Sequence, residues 1–143
     1  MEERTKNKGY QILPECAKDA EGLDIILTCD GASSVGQVGH EVAVKLTKEN
    51  PNSARMCCIT AVGAGSKLHV EIAKKARRLI VINGCQLECA SKVVRSRGIE
   101  PDYEITVAKQ GVKKLPSLDF SREDVLQISE RIVKDLKIKN NRG

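Results

Sequence analysis

The chain has 143 residues, 41% of them hydrophobic and 30% charged, and 24 Lys and Arg against 19 Asp and Glu give a net charge of +5. That length supports one domain with a core of its own. No apolar run approaches the roughly 20 residues needed to cross a bilayer, and the polar start from Met1 to Lys8 is not followed by the apolar stretch of a signal peptide.

Residues 1–22 read as an N-terminal arm in which Tyr10 to Leu13, closed by Pro14, is either a loose stretch or a single edge strand. Asp24 to Thr28 is an apolar run of strand length ending in Cys29-Asp30-Gly31. Val35, Val38, Val42 and Leu46 then recur at helical spacing up to Asn50-Pro51, a helix stop. Arg55 to Thr60 is the second expected strand, and Gly63 to Ser66 a turn whose serine caps the next helix, carried by Leu68, Ile72 and Ala76. Leu79 to Ile82 is the third strand and runs into Asn83-Gly84-Cys85. Leu87, Ala90, Val93 and Val94 mark a helix ending near Gly98, Tyr103 to Val107 a fourth strand, and Ser121 caps a last helix through Val125, Ile128, Ile132 and Leu136.

Strands alternating with helices imply an α/β fold: a three-layer sandwich with a mainly parallel four-stranded, Rossmann-like sheet over residues 23–138, and a disordered tail at 139–143. The unbroken apolar strands suit a sheet covered on both faces. The aromatic set is Tyr10, Tyr103 and Phe120, so the basic residues lack the stacking partners and recognised module of a nucleic-acid surface and read as solvated helix faces and tail.

Six cysteines in a chain expected to stay in the cytoplasm read as metal or redox chemistry before disulfide architecture. Right-handed crossovers bring all strand ends of a parallel sheet to one edge, where open α/β sheets bind ligands. Cys29 follows the first strand, Cys57 and Cys58 lie in the second, and Cys85 and Cys89 follow the third. Five of the six thiols thus fall at or near that edge. Three helices start there, and their free amides favour negative charge. Cys85 and Cys89, four apart at a helix start, are expected to share a face. Adjacent strand residues point to opposite faces, so only one of Cys57 and Cys58 joins easily. A tetrahedral zinc site would take one thiolate from each of the first two strands plus the 85/89 pair. Cys57 otherwise reads as a buried filler and Cys16 as an incidental thiol.

Three segments, Cys29 to Gln37, Met56 to Ala61 and Ile82 to Ala90, together resemble the DGC domain family of bacterial and archaeal proteins, to which zinc binding is attributed from four potential chelating cysteines. The match runs from about Leu23 to Val112. The resemblance implies Cys29, Cys58, Cys85 and Cys89 as zinc ligands, since the middle residue of the family's Met-x-Cys varies and Cys58 is the third. It also exposes a departure, because the family's Asp-Gly-Cys is Asn83-Gly84-Cys85 here. Asn keeps turn propensity and tolerance of left-handed geometry but has no carboxylate.

The serine- and glycine-rich loop from Gly31 to Gly39 matches neither phosphate-binding glycine pattern and reads as a small-residue loop beside the cysteines, with Ser33, Ser34 and Gln37 free to hydrogen-bond a ligand. His40, at the start of a helix, and His69 read as surface helix residues, with metal ligation or base chemistry as alternatives. No arginine follows Cys29 before Arg55, which argues against a cysteine phosphatase. The leading expectation is a zinc-binding protein. The alternative is a thiol-disulfide or persulfide-handling redox enzyme using the same cysteines, with Cys29 or Cys85 reactive and Cys89 resolving. A weaker third is an anion or small-ligand sensor at the serine-glycine loop. No motif names a protein or small-molecule partner, a reaction or an oligomeric state.

Overall fold

The fold comes from a computed structural model that describes residues 9–138. The expected tail at 139–143 and the Met1 to Lys8 segment lie outside the described residues. Four strands, β1 (Asp24–Thr28), β2 (Ala54–Met56), β3 (Arg78–Asn83) and β4 (Tyr103–Thr106), form one parallel sheet in the order β2-β1-β3-β4. The six α-helices among the described residues are α1 (Cys16–Asp19), α2 (Ser34–Glu49), α3 (Ile59–Gly63), α4 (Lys67–Lys75), α5 (Cys89–Ser96) and α6 (Arg122–Leu136). Short 3-10 turns follow α1 and β4.

Strand alternation divides the core in two. Ile26, Ile80 and Ile82 pack under α2 and α6 with Val35, Val42, Ile128 and Ile132. Ile25, Leu27, Leu79 and Val81 face the other way, against Val62, Ile72, Ala90 and Val94 of α3, α4 and α5. Both faces of β1 and β3 are thereby sealed, and their apolar residues are at most 1% exposed. Burial on that scale contributes about 25 cal/mol per Å² of apolar surface removed from water. The three-layer α/β expectation holds.

Ser66 and Ser121 are caps where the sequence puts them, and Ser33, expected only as a loop residue that could hydrogen-bond a ligand, is a third. Ser33, Ser66 and Ser121 accept from the amides of Gly36, His69 and Glu123 and satisfy donors that the first turns of α2, α4 and α6 leave free.

Several boundaries differ. The stretch from Tyr10 to Leu13 forms no strand. It lies as a loose arm, held by Gln11 Nε2 donating to the Lys48 carbonyl and by Arg55 Nε donating to the Pro14 carbonyl, 3.1 and 3.0 Å. The second strand stops at Met56 rather than Thr60. One further bond, Cys57 N–H to the Ile26 carbonyl at 2.9 Å, continues the pairing, and the chain then turns into α3 at Ile59, burying Val62. β-Branched Ile59, Thr60 and Val62 favour a strand locally, but burial of Ile59 and Val62 in the lower core decides the helix.

Candidate functional site

The strand order creates the site. From β1 the chain crosses to β2 on one side and then returns to β3 on the other, so β1 and β3 are neighbours whose following helices, α2 and α5, cover opposite faces. A crevice opens between their carboxyl ends, the usual ligand position in such sheets. Cys29 leaves β1 there, and Cys85 and Cys89 follow β3.

Cys29, Cys85 and Cys89 line one cleft of about 280 Å³, together with Ser33, Glu88 and Lys114. Cys29 and Cys89 also line an adjoining cleft with Ile59 and Thr60, the first residues of α3. Cys58 is the N-cap of α3 and opens on a separate groove with Leu13, Asp30 and Cys57. All six cysteines are free, Cys58 and Cys89 exposed and the others half-buried. Of the four expected ligands, three therefore share a cleft and Cys58 stands at its side. Among the described residues, no group of three or more His, Cys, Asp or Glu side chains is gathered as a metal shell. The donors suit a thiophilic ion in chemistry, but the shell is incomplete as it stands.

Cys85 and Cys89 do not lie on one helical face. Cys89 is the first residue of α5, and the chain between them is a turn closed by Glu88 N–H on the Cys85 carbonyl, 3.0 Å. Glu88 takes the left-handed conformation, φ 54°. Its carboxylate accepts from Thr106 Oγ1 at 2.7 Å and Lys109 Nζ at 3.2 Å. The Thr106 hydroxyl and then the lysine hold this carboxyl below its ordinary pKa, so an ionised Glu88 pins the turn to β4.

Backbone contact without side chains shapes the floor. A Cβ on Gly84 would lie 2.9 Å from the Gly36 nitrogen and 3.2 Å from Cys29 Sγ, and a Cβ on Gly36 would lie 2.8 Å from the Gly31 nitrogen. The loops after β1 and β3 and the first turn of α2 meet because Gly36 and Gly84 carry no side chain. The loop candidates are largely engaged in that structure. Ser33 caps α2 while bordering the cleft. Ser34 is buried, donates to the Lys113 carbonyl and accepts from Leu115 N–H, 3.1 and 2.8 Å. Gln37 Nε2 donates to the Gly31 carbonyl at 3.0 Å.

Asn83 ends β3, fully buried, and is not left-handed. Its Nδ2 donates to Ser91 Oγ at 2.7 Å, its Oδ1 accepts from Ser91 N–H at 3.0 Å, and Ser91 Oγ donates to Glu104 Oε2 at 2.6 Å. Asn83 thus ties the start of α5, and with it Cys89, to the sheet. This role is not visible in the turn signal of Asn-Gly.

Residues read as an incidental thiol, a filler or helix surface have partners. Cys16 Sγ lies 3.5 Å from Cys57 Sγ. The Cys57 hydrogen bond, opposed by burial and helped by the Arg55 charge, lowers the Cys16 thiol to about 6, while the same contact pushes Cys57 up. His40 lies within α2 rather than at its start, and its Nδ1 is 3.0 Å from Asp30 Oδ1, which also accepts from Thr28 Oγ1. Asp30 is left-handed, φ 53°, which turns the chain directly after Cys29. His69 Nδ1 contacts its own cap, Ser66 Oγ, at 2.8 Å.

Fold and site define a parallel α/β protein with a thiol-lined crevice at the β1–β3 switch point. The DGC domain family model matches residues 25–132, and the chain belongs to that family. It is similar to the anaerobic and virulence modulator AnvM of Pseudomonas aeruginosa, 28% identical over 115 residues that cover 80% of this chain and 83% of that protein. No solved structure matches the chain.

Proposed function

We propose that the crevice binds one thiophilic divalent cation, zinc in the first place, through Cys29, Cys85 and Cys89, with Cys58 as the fourth thiolate. The observation that carries this reading is the convergence of three thiols from two neighbouring strand ends on one cleft. Cys58 and Cys89 are exposed at helix starts and free to adjust, which suits the two ligands nearest to α3 and α5. Lys114 and the helix amino ends offset part of the charge of about −2 that four thiolates around a divalent cation leave. When bound, zinc would supply a closed, redox-inert link between the β1, β2 and β3 ends.

A site of this kind responds to metal supply rather than turning over a substrate, which suits the role named for the relative, a modulator. The same reading implies a reducing compartment, where six thiols stay free. No described helix is long and apolar enough to cross a membrane.

Native mass spectrometry of protein purified without chelator tests it. About one zinc per chain is expected, lost in C29S, C58S, C85S and C89S and kept in C57S and C16S. Metal-free protein with all thiols alkylatable would sink the reading. A metal-free protein carrying a readily reduced Cys85–Cys89 disulfide would replace it with the redox alternative, which the turn joining those two cysteines favours.

A further inference from the structure

The Cys16–Cys57 pair does not line the cleft: Cys16 precedes the matched family region, residues 25–132, and Cys57, inside that region, fills the position that varies in Met-x-Cys. We propose that Cys16 and Cys57 are a dithiol modification site, which a hydroperoxide oxidises to a disulfide joining the N-terminal arm to the end of β2.

The geometry is already close. The sulfurs are 3.5 Å apart, and a disulfide needs about 2.05 Å. The two sides differ in freedom. Cys57 is fixed to the sheet by its N–H on the Ile26 carbonyl. Cys16 starts α1, a four-residue helix with no fully buried side chain, so the arm can close the remaining gap. Arg55 holds the two segments in register. Its Nε donates to the Pro14 carbonyl at 3.0 Å, two residues before Cys16, and its Nη1 donates to the Met56 carbonyl, one residue before Cys57. Its charge also faces Cys16 and favours the thiolate there. Two small apolar fillers would need neither a guanidinium strap nor direct sulfur contact, and both cysteines are only half-buried, so an oxidant can reach them.

The chemistry balances. The Cys16 thiolate attacks the terminal peroxide oxygen; an S–O bond forms, the O–O bond breaks, and the alcohol or water leaves with a proton. Cys16 is then a sulfenic acid, oxidised by two electrons. The Cys57 sulfur attacks the sulfenic sulfur; the S–S bond forms, the S–O bond breaks, and hydroxide takes the Cys57 proton and leaves as water. Two thiols and one hydroperoxide become one disulfide, one alcohol (water from hydrogen peroxide) and one water.

The test uses the full, reduced chain treated with hydrogen peroxide, blocked with an alkylating agent and digested with trypsin. Cys16 falls in the peptide 9–18, and Cys57 in 56–67, which also carries Cys58. The C58S variant therefore decides the partner. Peptides 9–18 and 56–67 linked in wild type and in C58S, and released by reductant, are the expected result. In C57S the link is lost and dimedone labels Cys16. Both thiols still alkylatable in C58S after peroxide, or a link formed only when Cys58 is present, would overturn the proposal. C58S alone is sufficient should C57S fold poorly. Zinc content measured on C16S and C57S keeps this result separate from the four-cysteine reading.

Discussion

At the scale of single residues, the site rests on groups whose chemistry is mostly structural. Gly84 carries no function of its own, yet the backbone nitrogen of Gly36 and the sulfur of Cys29 occupy the space around its absent Cβ. Gly84→Ala is expected to lower stability by roughly 1–3 kcal/mol through overpacking against backbone that cannot rotate away. It should also change the rate at which Cys29 reacts with a thiol reagent. Urea unfolding and reaction kinetics with Ellman's reagent measure the two effects.

Asn83 gives a second prediction. Asn83→Asp restores the family's residue but sets a buried carboxylate across Ser91 Oγ from Glu104, and one hydroxyl proton cannot serve two carboxylates. Burial and the like charge raise the folded-state pKa of the new Asp above its unfolded value. The cost therefore appears as pH rises through that folded pKa and fades below the unfolded value near 4. A loss of roughly 1–3 kcal/mol at pH 7 that narrows toward pH 4 is expected. Chemical denaturation across that range measures it, and a gap independent of pH would show that Glu104 plays no part.

Elements place opposite chemistry at the two edges of the sheet. The carboxyl edge of β1 and β3 carries thiols, and the amino edge carries Asp24, 0% exposed and held by Arg77 Nε at 3.1 Å and Arg78 Nη2 at 2.6 Å. Burial pushes the Asp24 carboxyl up, but the Arg78 and Arg77 hydrogen bonds and charges outweigh it, so its pKa lies below the usual range. A depressed carboxyl contributes stability that is full above the unfolded value of about 4 and lost as pH falls through the folded value. Asp24→Asn should cost roughly 1–3 kcal/mol near neutral pH, discounted for two partly exposed arginines. It should also flatten acid unfolding below pH 4. Zinc stoichiometry should not change, because the ion cluster lies a strand's length from the cleft.

At the scale of the whole molecule, the crevice is lined by segments distant in sequence, so the ion proposed there would stabilise the fold by binding the folded chain alone. Zinc at 100 times its dissociation constant should add about 2.7 kcal/mol to wild type. Thermal melts with and without chelator measure this, and C85S should show no difference between them. An equal shift in C85S would mean that the metal binds elsewhere.

Much of this molecule was legible along the chain. Apolar runs of strand length, helical spacing and the serine caps at Ser66 and Ser121 rest on contacts a few residues apart, so β1 and the order of the four strands and the four longer helices follow from sequence alone, while the short helices α1 and α3 do not. The grouping of five cysteines near one edge follows from that order and from the right-handedness of crossovers. What the tertiary structure alone decided depends on residues distant in sequence. It set the strand order β2-β1-β3-β4, which makes Cys29 and Cys85 neighbours across a switch point and leaves Cys58 beside their cleft. It ended β2 at Met56 because Val62 is buried by turning into a helix, and it made Asn83 a buried tie to Ser91. It brought Cys16 to Cys57 across 41 residues. Periodicity records which face a side chain turns inward; it carries no information about which other face that side chain will meet.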